Sequence, residues 1–402
     1  MTTDQKLQIA ATVPILKEHG VLLTTHFYNR MLTGNPELKN VFNIGNQTSG
    51  KQQTALAMAV LAYAENIENP SVLMPVLDRI GQKHVSLDIR PEHYAIVGRH
   101  LLASIKEVLG DAANQDIMEA WEIAYNQLAG IMSGHEAVLY QSQITDEGWT
   151  GWRPFQVKHK TRESEEITSF ALYPVDGGKV KKHRPGQYLS IKLFLPEINL
   201  VQARQYSISS SPNQSYYRIS VKKEKGAHPD SAGLISNRLH SFIKQGDIVE
   251  ITAPAGNFVL DSEGDFPVVF ISGGVGLTPF ISMLQSLVEQ KSQRKIVWLH
   301  GCRNKDVHAF SDHVNFLVQE NLNLEQHVFY SEDFVAEDHE GIYKGYLDIN
   351  LVNGFTADHS AHYYVCGPTP FIEKQYADLT AAGVATNSIY FEEFGPQSLQ
   401  LN

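Results

Sequence analysis

At Gly148-Trp149-Thr150-Gly151-Trp152 the chain changes the spacing of its apolar residues. Before this stretch they recur at helical intervals, in Leu73, Val76, Leu77 and Ile80 and again in Val97, Leu101, Ile105 and Val108. From Arg153-Pro154 onward they alternate, as in Tyr217, Ile219 and Val221. A helix and a strand present their apolar faces on different periods, so the helical pattern breaks here and the stretch reads as a linker between domains. On the helical side, Thr33-Gly34 closes one helix and Asn35-Pro36-Glu37 opens the next with a cap residue, a first-turn proline and an acid; Pro91-Glu92 does the same before Tyr94. On the strand side, Pro174 through Gly178, Pro185-Gly186, Gly246-Asp247 and Pro254 to Gly256 punctuate short β runs, a pattern that fits an antiparallel barrel with one capping helix.

A second change comes at Pro267-Val268-Val269-Phe270-Ile271, an uninterrupted apolar run of the kind buried on both faces of a parallel sheet. It feeds Ser272-Gly273-Gly274-Val275-Gly276-Leu277-Thr278-Pro279 and then an apolar helix with Phe280, Met283, Leu284 and Leu287. Glycines between a strand and a helix let backbone amides approach a phosphate closely. Further strand-to-loop units follow: Ile296 to His300 before Gly301-Cys302-Arg303, and Tyr363-Tyr364-Val365 before Cys366-Gly367-Pro368. Ligands of open α/β sheets bind beyond the carboxyl ends of strands, where these loops converge. With 402 residues the chain accommodates three domains, expected at 1–147 (all-α), 148–262 (antiparallel β-barrel) and 263–402 (α/β, parallel sheet).

Arg204-Gln205-Tyr206-Ser207 lies between the helical block and the α/β block. Residues two apart on a strand share a face, so Arg204 and Tyr206 project together, a forked cation beside a flat ring. That pairing suits a pyrophosphate next to an aromatic heterocycle. Upstream, Pro185-Gly186-Gln187-Tyr188 enters a strand on which Leu189, Ile191 and Leu193 alternate with Tyr188, Ser190 and Lys192, turning Tyr188 away from the apolar side. Downstream, Gly233-Leu234-Ile235-Ser236-Asn237 opens a helix whose free amides suit a phosphate. These segments resemble the flavin domain of the ferredoxin-NADP reductase family, with its Arg-x-Tyr-Ser strand and Gly-x-x-Ser helix start. The resemblance implies FAD: Arg204 on the pyrophosphate, Tyr206 at the isoalloxazine, Ser207 near the reactive flavin nitrogen, and Tyr188, Gln205, Gly233 and Ser236 in the same binding set. An ideal strand would point Ser207 the other way, so a bend or a backbone donor is expected there.

The same resemblance covers the last block. Pro279 stands where a dehydrogenase fingerprint has its third glycine, and Gly-x-Gly-x-x-Pro is usual in the reductases. It implies that the loop from Gly273, Gly274 and Val275 through Gly276, Leu277 and Thr278 holds NADH or NADPH. Cys366-Gly367-Pro368 then lies near the nicotinamide, although Cys366 equally suits a buried small residue. In the tail, Ile389-Tyr390-Phe391-Glu392 reads as a strand leading to Glu393-Phe394-Gly395-Pro396. Phe394 is expected to cover the flavin where nicotinamide docks, with Glu392 close by. Arg303 suits either a 2'-phosphate or an exposed loop.

In the helical block His84 follows Ile80 by four residues and so faces the core, where a lone histidine is usually only a hydrogen-bonded core residue. Gln52, Leu56, Val60 and Tyr63 share another helical face, and Tyr28 and Phe42 lie upstream; a cavity with polar groups on one wall and a histidine on the other is what a gas-binding haem requires. His26-Phe27-Tyr28, Asn35-Pro36-Glu37-Leu38 through Phe42-Asn43, Gln82-Lys83-His84 and Glu136-Ala137 resemble the globin domain of the flavohaemoglobins. The resemblance implies haem b with His84 as iron ligand, Phe42 wedging the porphyrin, Tyr28 and Gln52 reaching the distal ligand and Leu56 narrowing that pocket. Tyr94 and Glu136 become a hydrogen-bonded pair around His84, and Lys83 either tunes the redox potential or is a surface lysine. One departure is Glu393, where that family often has cysteine before the phenylalanine.

The implied activity is a nitric oxide dioxygenase: hydride enters from NAD(P)H, the flavin splits the electron pair into single electrons, and oxygen and nitric oxide combine at the haem to give nitrate. A gas sensor or store, a flavin reductase and an alkyl hydroperoxide reductase are the alternatives. The net charge of -11 argues against nucleic acid or an anionic membrane surface as partner. Two cysteines, Cys302 and Cys366, are too few for a disulfide framework. Met1 to Gly20 lacks a basic region followed by an apolar core, so the cytoplasm is expected; a monomer without stable membrane association is the expected form.

Overall fold

The computed structural model describes residues 1–144, 147–226, 233–332, 341–352 and 357–395. Pro396, expected at the nucleotide site, lies outside them. The chain forms two compact units, one of Met1–Arg153 with Ser190–Gln205 and Glu250–Ala255, the other of Pro154–Leu189, Tyr206–Val249 and Gly256–Asn402.

In the first unit, α1 (Thr3–Ala11), α2 (Val13–Gly34), α3 (Ile44–Thr48), α4 (Lys51–Glu65), α5 (Met74–Ser86), α6 (Pro91–Leu109) and α7 (Gln115–Gln143) follow in order. Ile9, Leu23, Phe27, Met31, Ala120 and Ala124 fill its centre. Burying each of the larger ones contributes about 1.5–3 kcal/mol. Two local expectations need correction. Asn35-Pro36-Glu37 opens only a short 3-10 helix, Pro36–Asn40, because the Asn35 side chain is bound to Glu37 and His100 and caps no backbone N–H. Val76 is exposed beside a buried Leu77: adjacent helical positions diverge, and the stripe is narrower than its spelling.

Six strands, β1 (Arg153–Arg162), β2 (Ile167–Pro174), β3 (Tyr188–Leu195), β4 (Leu200–Ser207), β5 (Tyr217–Lys222) and β6 (Ile248–Ile251), form a sheet in the order β4-β3-β6-β1-β2-β5. The β1/β2, β2/β5 and β3/β6 ladders are antiparallel. The sheet closes through an antiparallel bridge between Ile208, one residue past β4, and Ile219 on β5. Ile208 N–H also donates to Gln187 O. Directly after Ser207 the chain thus gains β5 as a neighbour while its N–H stays bonded beside the start of β3. Helix α8 (Leu234–Ser241) begins behind Gly233.

The second sheet is parallel, with β7 (Val268–Gly273), β8 (Ile296–Cys302), β9 (Leu324–Tyr330), β10 (Ile342–Lys344), β11 (His362–Gly367) and β12 (Ile389–Glu393) in the order β10-β9-β8-β7-β11-β12. Helices α9 (Thr278–Glu289), α10 (Ser311–Glu320) and α11 (Thr369–Ala381) cover it. Alternate residues of β7 enter different clusters: Val268 and Phe270 join Phe280, Met283 and Trp298, whereas Val269 and Ile271 join Leu299, Tyr363 and Ile372. Both faces are dry, which is why the run is apolar without interruption.

Buried His183 pairs through Nε2 with Ser282 Oγ at 3.0 Å. Burial, partly opposed by a backbone hydrogen bond at Ser210, pushes its imidazole from 6.5 down to about 4. Between those values the unfolded chain binds a proton that the folded one does not, so stability falls as pH drops through that window. One such group contributes on the order of 3 kcal/mol. Urea midpoints at about pH 7 and about pH 5 are expected to lie closer together for His183→Gln than for the parent; an unchanged gap would dismiss this histidine.

Candidate functional site

Helix α5 carries His84 in its last turn, α6 carries Tyr94 in its first and α7 carries Glu136. His84 Nδ1 lies 2.7 Å from Glu136 Oε1 and 3.1 Å from the Tyr94 hydroxyl, and that hydroxyl donates to the same carboxylate oxygen at 2.6 Å. The buried Glu136 carboxylate accepts the hydrogen bond from Nδ1–H and so fixes the tautomer. About a third of the His84 side chain stays accessible, at 32 %, so Nε2 is left to bind a metal. Burial first, then the Glu136 hydrogen bond and charge, hold the Tyr94 phenol well above its ordinary pKa.

Tyr28 on α2 is buried, and burial raises its phenol against a smaller opposing effect of a Gln52 hydrogen bond. Its ring meets Phe42 edge-on with centroids 5.6 Å apart. Phe42 and Leu56 pack as half-buried residues on the cluster that contains Tyr28, Val60 and Tyr63. Lys83 is half-buried beside His84. Among the described residues no group of three or more His, Cys, Asp or Glu could hold a metal ion. His84 is therefore suited to an iron that brings its other ligands with it, as haem does. Gln52 Oε1 is buried with no hydrogen-bond partner among the described residues, as expected where a further group completes the pocket. The residues fit haem.

Arg204 and Tyr206 are half-buried and Ser207 buried at the end of β4, with Gln205 between them. The Tyr188 ring lies so near Gly256, at φ +103°, that a Cβ there would stand 2.8 Å from it. Glycine therefore seats this tyrosine. Ser236 Oγ donates to Gly233 O at 3.0 Å and accepts from Glu224 N–H at 3.3 Å, which fixes the start of α8.

The glycine loop and the Cys366 loop meet. A Cβ on Gly276 would stand 2.1 Å from Cys366 O, and Gly274 needs glycine for its φ of +56°. Cys366 pairs in register with Ser272 on one side and Glu392 on the other, and Gly367 with Glu393, so these residues line one edge of the parallel sheet. Val275, Leu277 and Thr278 turn from that edge into α9, with Leu277 and Thr278 buried. Pro368 N-caps α11. Cys366 is fully buried, and burial followed by the Glu392 charge raises its thiol well above the usual range, so its side chain is a packing group. Glu393 is buried and accepts from Thr369 Oγ1 at 2.6 Å. Phe394 is exposed, and Gly395 has φ +142°. Arg303 is ion-paired with Glu166. Gly276→Ala is expected to lose about 1–3 kcal/mol from overpacking. It should raise the KM for NAD(P)H while reduction by dithionite is unchanged, and an unaltered KM would argue against the approach to Cys366.

Sequence reasoning missed Ser86, Ser190, Gln202, Thr252 and Thr369. Only Gln202 carried a signal, a polar residue on the Arg204 face of a half-buried strand.

A histidine set for iron, a flavin-type strand and a nucleotide edge define a haem globin joined to a flavin- and nicotinamide-dependent oxidoreductase. Family models agree: globin over residues 25–132, oxidoreductase FAD-binding domain over 154–260 and oxidoreductase NAD-binding domain over 270–376. A flavohemoprotein of Bordetella parapertussis is 49% identical over 400 residues, covering 98% of each chain. One from Rhizobium meliloti is 46% identical over 401 residues, again 98% of each. The flavohemoglobin of Malassezia yamatoensis, solved with bound FAD and heme, has a TM-score of 0.86 at 26% identity and covers 98% of this chain and 99% of that one. The flavohem-like FAD/NAD binding domain of nitric oxide dioxygenase from Vibrio cholerae has a TM-score of 0.56 at 36% identity, covering 61% of this chain and 99% of that one. The chain belongs to the flavohemoprotein family. Its architecture is a globin, an antiparallel FAD domain and a parallel NAD-binding domain, and its cofactors are haem, FAD and a nicotinamide nucleotide.

Proposed function

We propose that the chain is an NAD(P)H-dependent nitric oxide dioxygenase that converts nitric oxide and oxygen to nitrate and so detoxifies nitric oxide. The carrying observation is the bond from His84 Nδ1 to the buried Glu136 carboxylate, the partner that orients a ligating ring and strengthens its donation to a bound metal. The similarity to a domain of the Vibrio cholerae nitric oxide dioxygenase supports it. When bound, FAD would supply the exchange of a hydride's electron pair for single electrons, and haem would supply a one-electron iron centre suited to oxygen. Atoms and charge balance as NO + O2 + one electron giving nitrate, so one hydride serves two turnovers.

In this reading Arg204, Gln205, Tyr206, Ser207, Tyr188 and the Gly233–Ser236 helix start hold FAD. The Gly273–Thr278 loop and Cys366-Gly367-Pro368 seat the nicotinamide nucleotide against Glu392, Glu393, Phe394 and Gly395. Tyr28 offers a hydroxyl to oxygen, Gln52 holds that hydroxyl, and Phe42 and Leu56 shape the pocket. The three blocks correspond to 1–147, 148–262 and 263–402. Among the described residues no helix is long and apolar enough to cross a membrane, and we place the enzyme in the cytoplasm as a monomer.

The test is NAD(P)H consumption with and without nitric oxide under oxygen, with nitrate assayed, on protein showing Soret and flavin bands together. Haem without nitric-oxide-dependent turnover would favour a sensor or a peroxide reductase. Tyr28→Phe is expected to raise the oxygen dissociation rate constant about ten- to a hundredfold, the equivalent of one charge-assisted hydrogen bond at ~1.5–3 kcal/mol. Flash photolysis giving the parent rate would remove Tyr28 from that role.

A further inference from the structure

Strand β4, which carries Arg204 and Tyr206, also carries Gln202 on the same face, and Gln202 is 1 % exposed. Its carboxamide bonds one segment of the helical block, while its nitrogen also lies 3.1 Å from Val201 O on its own strand. Gln202 Oε1 accepts from Ile44 N–H at 3.1 Å, and its nitrogen donates to Lys39 O at 2.7 Å and Phe42 O at 3.2 Å. The preceding Val201 N–H donates to Asn40 Oδ1 at 2.8 Å. The segment held in this way contains Phe42.

A second set of bonds ends beside His84. Gln205 Nε2 donates to Ser190 Oγ at 3.3 Å, Ser190 Oγ to Ser86 Oγ at 3.2 Å, and Ser86 Oγ to Lys83 O at 2.8 Å. Thr252 Oγ1 donates to Ser86 O at 3.1 Å and accepts from Ser190 N–H at 3.1 Å. Ser86, Ser190 and Thr252 are all buried. Each hydroxyl accepts once and donates once, so the chain has a single direction, from the residue before Tyr206 to the residue before His84.

Apolar packing tolerates sliding, whereas buried hydrogen bonds do not. A shift of about 1 Å would stretch several of them beyond bonding range together and leave buried polar groups bare. We propose that Gln202 and Ser86 are positioning residues that hold the flavin-type strand in one register against the His84 helix and the Phe42 segment, and thereby set the rate of flavin-to-haem electron transfer. The inference rests on the electron route of the proposed function. Neither residue touches the reacting atoms.

The test uses the full-length holoprotein and the single variants Gln202→Met and Ser86→Ala, which remove the bonds at little cost in volume. Stopped-flow mixing with NADH without oxygen follows flavin bleaching and the Soret change separately. Hydrogen–deuterium exchange is read over residues 39–44 and 84–88. Expected are parent-like flavin bleaching and ferricyanide turnover, haem reduction slower by at least about tenfold, the scale on which small misplacements act, and faster exchange at 39–44 in Gln202→Met and at 84–88 in Ser86→Ala. Ser86→Ala loses one oxygen atom, so it decides the matter if Gln202→Met misfolds. Parent-rate haem reduction in the variants overturns the proposal, as does equal slowing of flavin and haem, the mark of general damage, or unchanged exchange. Failure of the parent itself to reduce haem from NADH would instead sink the functional reading on which this rests.

Discussion

His84→Ala is expected to purify as a yellow protein, with flavin bands kept, the Soret band gone and nitrate formation abolished. Alanine is the best helix former, and the parent side chain is partly accessible, so α5 loses little by the change. The neighbouring acid is not stranded either, because Tyr94 still donates to Glu136 Oε1 at 2.6 Å. The loss therefore falls on the iron and not on the fold. NAD(P)H turnover with ferricyanide should stay near the parent rate. A retained Soret band of parent intensity, or surviving nitrate production, would remove His84 from the iron.

Glu136→Gln should lower nitrate turnover by about 10–100-fold, the range for losing the partner of a metal-ligating histidine. The amide oxygen can still accept, so geometry largely survives and only the charge is removed. A carboxylate on Nδ1 pushes electron density through the ring and favours ferric iron; its loss should raise the haem reduction potential. Tyr94 should become easier to ionise but stay raised, since burial is the larger cause of its shift and the Glu136 hydrogen bond and charge come after it. Potentiometric titration and the iron–histidine stretching frequency check this reading. A parent-like potential with parent-like turnover would reduce Glu136 to a packing residue.

What could be read from the amino acids alone follows the range of the signal. The period change at Gly148, the apolar run at Val268 and the glycine loop before Pro279 are local, and β1, β7 and α9 begin where those signals put them. His84, Tyr94 and Glu136 were brought together by resemblance, since no periodicity links residues 52 apart, and the structure joins them in a shared hydrogen bond. The partners of Gln202 and Ser86 were illegible for that reason: they lie 158 and 104 residues away, and the one signal Gln202 carried, a polar residue in a strand, looks the same whether water or Ile44 satisfies it. Glu393 is a similar case. Its charge looked out of place in the sequence, yet Thr369 on the neighbouring α11 meets it.

The strand order of the parallel sheet also sets a timetable for biosynthesis. Among the described strands β12 comes last in the chain, and it brings Glu392 and Glu393 to their places beside Cys366 and Gly367. The residues grouped around His84 emerge more than two hundred positions earlier, roughly tens of seconds ahead at ~5–20 residues per second. The residues grouped around His84 are thus complete in the nascent chain before the sheet edge that Glu392 and Glu393 finish.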